Sequence, residues 1–182
     1  MNCKKLFLPV LTLFILPFMN GCALFRGGAQ IRGPVLERWQ NENKKFKIRG
    51  ISYEETGADE NGTYYQFQSA TVGSNEWHEV MSFRHDDRPK IPTDQVRFVN
   101  NDTAYIFMGW KYAVTTDAAQ SWSVWTAERD LPNWQCCNYS LIADVTIAND
   151  GNGIMRLNPI EDRRGEVSLL RTTDYGRHWK AE

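Results

Sequence analysis

The sequence predicts an all-β protein in which small antiparallel sheets of similar design follow one another along the chain. Three observations carry that prediction. Period-two alternation dominates from Phe46 onward, as in "TYYQFQSATV", where Tyr65, Phe67 and Ser69 share one face and Tyr64, Gln66 and Gln68 the other. Clusters of Asn, Asp and Gly punctuate these runs as turn signals, at "ADENGT", at Asn100 to Thr103 and at Asp150 to Gly153. Finally, "VTTDAAQSW", Val114 to Trp122, aligns without a gap with "RTTDYGRHW", Arg171 to Trp179, so one local device occurs twice.

In that device Thr115, Asp117, Ala119 and Trp122 match Thr172, Asp174, Gly176 and Trp179. An Asp in a tight turn accepts hydrogen bonds from backbone N–H groups further on, a Gly supplies positive φ, and the aromatic caps the hairpin from the following strand. The spacing resembles the Asp-box hairpin of sialidases and of many β-propeller proteins, where the box is a folding element. The resemblance therefore makes Thr115, Asp117, Trp122, Thr172, Asp174, Gly176 and Trp179 structural, with Ala119 standing where the box has Gly. Asp117 and Asp174 lie 57 residues apart, and a degenerate copy, "SATVGSNEW", puts Trp77 45 residues before Trp122. Such spacing fits one small sheet per unit, as in propeller blades. About three units are too few for a ring of roughly four to eight blades, so the expectation is an open or incomplete propeller-like or sandwich-like arrangement.

The elements follow in chain order. Lys4 and Lys5 precede an apolar run, Leu6 to Met19, too short and Pro-interrupted for a membrane span, and residues 1–21 read as a secretory signal. The run ends at "MNGC", which resembles the lipobox at which bacterial lipoproteins are cleaved and acylated, here on Cys22, although Met19 and Asn20 depart from its usual residues. The alternative is an ordinary signal peptide with an incidental Cys22. Ala23 after the cysteine, in place of Asp, implies outer-membrane sorting. Residues 22–34, Gly-rich and basic, read as a lipidated tether, and residues 35–182 as a single β-rich domain. "VLERWQNENKKF" after Pro34 is expected to form a short helix with Leu36, Trp39 and Asn43 on one side. "FKIRGISYEE" then reads as a strand with Phe46 and Ile48 on one face, its phase shifted at Gly50 to Ile51 and Tyr53. Val96 and Phe98, then Tyr105 and Phe107, mark the strands that lead into the first box.

Charge and motif content bound the function. Removing residues 1–21 takes away Lys4 and Lys5 and no acid, leaving 19 basic against 22 acidic residues, a net charge of −3. That is no footprint for nucleic acid. A sialidase would need a full propeller with an arginine triad and a Tyr/Glu pair at its hub, and the chain is too short for one. His78, His85, Asp86 and Asp87 suggest a metal only weakly, because "FRHDDRPK" reads as a solvated loop after a strand at Val80 to Phe83. "EETGADEN" lacks the order of a calcium loop, and no nucleophile elbow, phosphate loop or zinc-protease motif occurs. The expectation is a protein without catalysis, cofactor or metal.

The unusual stretch is "LPNWQCCNYS". Adjacent Cys136 and Cys137 can form a disulfide only through a strained ring, since bridges need Cα atoms about 4.4–6.8 Å apart against roughly 3.8 Å across a trans peptide. The favoured alternative is strand alternation, one Cys buried as a small hydrophobe and one facing outward. Trp134 and Tyr139 beside them are the candidate partner-binding residues.

The runs "FMGWKYAVTTDAAQSWSVW", "DLPNWQCCNYSLI", "NPIEDRRGEVSLL" and "TTDYGRHW", behind a lipoprotein signal, resemble the type VI lipase immunity (Tli) lipoproteins of Gram-negative bacteria. The likeness covers roughly residues 95–182. It implies a periplasmic, membrane-anchored immunity protein that binds and neutralises a phospholipase effector delivered by type VI secretion. A periplasmic assembly or scaffold lipoprotein is the rival, and a glycan-binding module with exposed Trp a third. Translation starting at Met19 would instead yield an unacylated cytosolic form.

Overall fold

A computed structural model of the chain describes residues 32–56, 61–85, 93–131, 141–158 and 169–182. The first sheet comprises β1 (Arg32–Glu42), β2 (Phe46–Thr56), β3 (Asn61–Thr71) and β4 (His78–His85). The second comprises β5 (Val96–Phe98), β6 (Ala104–Met108), β7 (Lys111–Thr115) and β8 (Ser123–Thr126), followed by the one-turn helix α1 (Ala127–Asp130). The third comprises β9 (Leu141–Ile147), β10 (Gly153–Asn158), β11 (Leu169–Thr172) and β12 (Lys180–Ala181). All three are four-stranded antiparallel meanders in chain order, and none closes on itself. The all-β expectation therefore holds.

The short helix expected after Pro34 does not. Those residues are β1, which runs antiparallel along β2 from Arg32↔Glu55 to Glu42↔Lys47 and starts inside the stretch assigned to the tether. The physical reason is the partner: β2 is 11 residues long, and pairing with β1 satisfies an edge that a helix would leave open. Trp39 packs into the core while Arg38 and Gln40 face solvent, a period of two. Leu36 sits at a register shift and stays exposed. Asn43 ends the strand as a turn residue, its Oδ1 accepting from the N–H groups of Lys45 and Phe46 at 2.8 and 3.0 Å.

The expected change of phase at Gly50 is also absent. The β2/β3 register runs unbroken from Phe46↔Thr71 to Thr56↔Asn61. Ile51 and Tyr53 consequently lie on the face opposite Phe46 and Ile48.

The second sheet is the middle of the stack. From β6 and β7, Ala104, Ile106, Met108 and Ala113 pack toward the first sheet with Phe46, Ile48, Tyr65, Phe67 and Phe83. Tyr105, Phe107, Tyr112 and Val114 pack toward the third with Val145, Met155 and Leu170. Burial on both faces explains why "AYIFM" is apolar throughout rather than alternating. Each large side chain so buried contributes roughly 1.5–3 kcal/mol of transfer free energy. Polar links fix the alignment. Lys111 Nζ donates to the Ser82 carbonyl at 2.8 Å, bridging first and second sheets. Between second and third, Arg97 donates to the Val145 carbonyl at 2.6 Å and to Asp144 at 2.9 Å, and the Tyr105 hydroxyl donates to the same Val145 carbonyl at 2.9 Å.

Candidate functional site

The two boxes fold into the same hydrogen-bond circuit. In the β7–β8 hairpin the Thr115 hydroxyl donates to Asp117 Oδ1 at 2.8 Å and accepts from the Ala119 N–H at 3.0 Å. Asp117 Oδ1 also accepts from the Ser121 N–H at 3.0 Å, and Oδ2 from the Ser121 hydroxyl at 2.5 Å. In the β11–β12 hairpin Thr172 donates to Asp174 at 2.8 Å and accepts from the Gly176 N–H at 2.9 Å, while Asp174 accepts from the His178 N–H at 3.0 Å. The sequence places the turn amides on the aspartate. The structure divides them: the buried threonine hydroxyl takes the inner amide and the aspartate the outer one.

Both aspartates are tuned to stay ionised. Partial burial works to raise the Asp117 carboxyl, but bonds from the side chain and backbone of Ser121 and from Thr115 outweigh it and hold the group below its ordinary value. At Asp174 the same opposition is won by bonds from His178 and Thr172. His178 is exposed, with Nδ1 2.6 Å from Asp174 Oδ2. Every oxygen of the two carboxylates is thus engaged within its own turn.

The positive φ of the box persists without its glycine. Ala118 and Ala119 lie at φ 57° and 66°, matching Tyr175 at 62° and Gly176 at 82°. Gly176 has a further reason to be glycine, because a Cβ there would collide with the Tyr112 hydroxyl and stand 2.9 Å from the Trp179 ring.

Each box tryptophan directly precedes the fourth strand of its sheet and reaches back to the sheet before. Trp122 packs into the core shared with the first sheet, its Nε1 donating to Ser69 Oγ at 3.1 Å. Trp179 packs edge-on against Tyr112 of β7, ring centroids 5.4 Å apart. Trp77 holds the same place before β4, but its sheet is the first. Its ring is flanked instead by Lys47 Nζ at 4.9 Å and the Arg49 guanidinium at 4.1 Å. Arg49 Nε also donates to Gln68 Oε1 at 2.7 Å, and burial together with nearby Arg38 lowers the Arg49 pKa. The turn before Trp77 has no box aspartate; Ser74 Oγ accepts from the Glu76 N–H at 3.0 Å, with Gly73 at φ 85°.

Of the seven box residues singled out in the sequence, Thr115, Asp117, Thr172, Asp174 and Gly176 are brought into these two circuits, and Trp122 and Trp179 pack on the preceding sheet. Cys22, Trp134, Cys136, Cys137 and Tyr139 lie outside the described residues, as do Asp86 and Asp87. His78 is exposed, 4.0 Å from Glu76, and among the described residues no three His, Cys, Asp or Glu side chains converge as metal ligands. The residues the sequence reading passed over are Lys47 and Arg49. Their signal was present, as the polar partners of Phe46 and Ile48 in the alternation of β2. No family model matches the chain, and neither does any curated protein or solved structure.

Proposed function

We propose that this chain is an immunity protein that binds and neutralises a type VI secreted phospholipase effector at the periplasmic side of the membrane. The observation that carries the reading is the pattern from Gly109 to Trp179, the two boxes with the Cys-Cys stretch between them, which resembles the Tli lipoproteins. The geometry supports it in one respect: Asp117 and Asp174 are committed to their own hairpins, as in a rigid scaffold for recognition. In this reading the three meanders form an open, propeller-like stack in which each box tryptophan locks one blade-like sheet to the previous one. Residues 1–21 are the signal, Cys22 carries the lipid that holds the domain at the outer membrane, and Trp134 and Tyr139 serve as anchors on the lipase.

The test is expression of the cognate lipase in the periplasm with and without this protein, following phospholipid hydrolysis and survival. Protection together with a complex on a sizing column is the expected result. Equal killing in both cultures, with no complex, favours the assembly-scaffold reading instead.

A further inference from the structure

We propose that the outer face of the first sheet, centred on Trp77, is a docking surface for an acidic segment of a partner protein. In the second and third sheets, the face that carries the tryptophan before the fourth strand is the face that docks on the preceding sheet. In the first sheet that same face points away from the stack.

Its chemistry has been changed at the positions that matter. On the second sheet the docking face presents Ala104, Ile106, Met108 and Ala113. On the first sheet the corresponding face presents Lys47, Arg49 and Gln68, with Arg38 opposite Ile51 on β1. An apolar face would call for another sheet; a cationic one calls for carboxylates. Among the described residues no carboxylate forms an ion pair with Arg38, Lys47 or Arg49. Glu42 stands opposite Lys47 in register without forming one, and Glu79 is bonded to Gln66.

The face is also built to hold its shape. Ile51 and Gln66 beneath the charged side chains are 3% exposed, Arg49 is fixed by Gln68 and by the Trp77 ring, and Tyr53 and Tyr64 pair with centroids 6.3 Å apart. Arg, Trp and Tyr on a rigid patch are the residues that anchor protein interfaces at low entropic cost. A second copy of this face would bring like charges together, which disfavours self-pairing. The inference rests on the immunity reading for the identity of the partner and not for its chemistry.

The experiment uses the full mature protein and three probes: a labelled synthetic peptide alternating Glu and Tyr, vesicles rich in phosphatidylglycerol, and the cognate lipase. The peptide should bind, weaken as salt is raised, and lose about tenfold or more in affinity with Arg49→Glu or Lys47→Glu, while Lys180→Glu on the third sheet changes nothing. Arg38→Glu carries the test if either variant fails to show a wild-type melting curve. Wild-type peptide affinity in the folded charge-reversed variants overturns the proposal. So does no peptide binding, or binding to vesicles and not to peptide, which would make the face a lipid-headgroup surface. The lipase arm separates the two readings. If wild type and Arg49→Glu bind lipase equally, this face is wrong and the immunity function stands. If neither binds lipase but the peptide result holds, the face stands and the immunity function falls.

Discussion

The β7–β8 and β11–β12 hairpins share a hydrogen-bond circuit yet differ at the second of their two positive-φ residues, Ala119 in one and Gly176 in the other. The difference lies in what packs against the turn. Gly176 lies under the Tyr112 hydroxyl and Trp179, with no room for a Cβ, whereas Ala119 packs against the core between the first two sheets with its methyl group accommodated. The circuit from threonine to aspartate is strong enough to hold an alanine in a left-handed conformation that normally costs about 1 kcal/mol. Glycine is therefore required in the second box by packing, and in neither by hydrogen bonding.

The largest expected effect breaks that asymmetry directly. Gly176→Ala should destabilise the fold by about 2–3 kcal/mol, combining overpacking with strain, as read from chemical denaturation. Unchanged stability would mean that Tyr112 and Trp179 yield easily. Next come the circuit residues. Thr172→Val and Thr115→Val should each cost about 2 kcal/mol, because a turn amide loses its acceptor, and at least as much as Asp174→Ala or Asp117→Ala, expected at about 1–3 kcal/mol with partner affinity retained. A folded Asp174→Ala protein that no longer binds its partner would make the box part of the binding site.

A smaller effect separates the two tryptophans. Trp122 donates to Ser69, whereas Trp179 Nε1 is buried with no acceptor among the described residues. Trp122→Phe should therefore cost about 1 kcal/mol more than Trp179→Phe in matched melting curves. Smaller still, Ala119→Gly should stabilise by about 0.5–1 kcal/mol, since glycine suits φ 66°. Equal or lower stability would show that loss of the buried methyl outweighs relief of strain.

Acid should act on both hairpins together. Asp117 and Asp174 have folded pKa values below the unfolded one, so their contribution is fully present above the unfolded value, about 4, and is lost as pH falls through the lowered folded values. A double Asp117→Asn, Asp174→Asn variant should lack that contribution. Its stability gap to wild type should shrink as pH drops below about 4, measured by circular dichroism. A constant gap would place the acid sensitivity elsewhere.

Much of the architecture was legible because its signals are local. Alternation in "TYYQFQSATV" put Tyr65, Phe67 and Ser69 on one face, which the structure turns into the core, and the turn at Asn100 to Thr103 appears where its residues promise it, Asn100 Oδ1 accepting from the Asp102 and Thr103 N–H groups. β1 was misread because a thin, polar segment has no decisive period of its own; its conformation comes from the long strand beside it. Gly50 misled for a related reason. Ile51 looked like core, so a phase shift was needed to turn it inward, yet it is buried on the outer face, in register with Arg38 on one side and Gln66 on the other.

The sequence by itself determined the all-β class, the turns at Asn100 to Thr103 and at Asp150 to Gly153, and the two boxes with their Thr, Asp and Trp, since each depends on residues a few positions apart. Only the tertiary structure decided that β1 is a strand, that the second sheet is buried on both faces, and that Gly176 must stay small beneath Tyr112 from another sheet. It alone also showed that Trp77, in the docking position of its repeat, meets no preceding sheet among the described residues and packs with Lys47 and Arg49. The reason is physical: hydrogen bonding within a turn is settled by neighbours in sequence, whereas burial and the facing of a sheet are settled by whatever distant chain arrives to cover it.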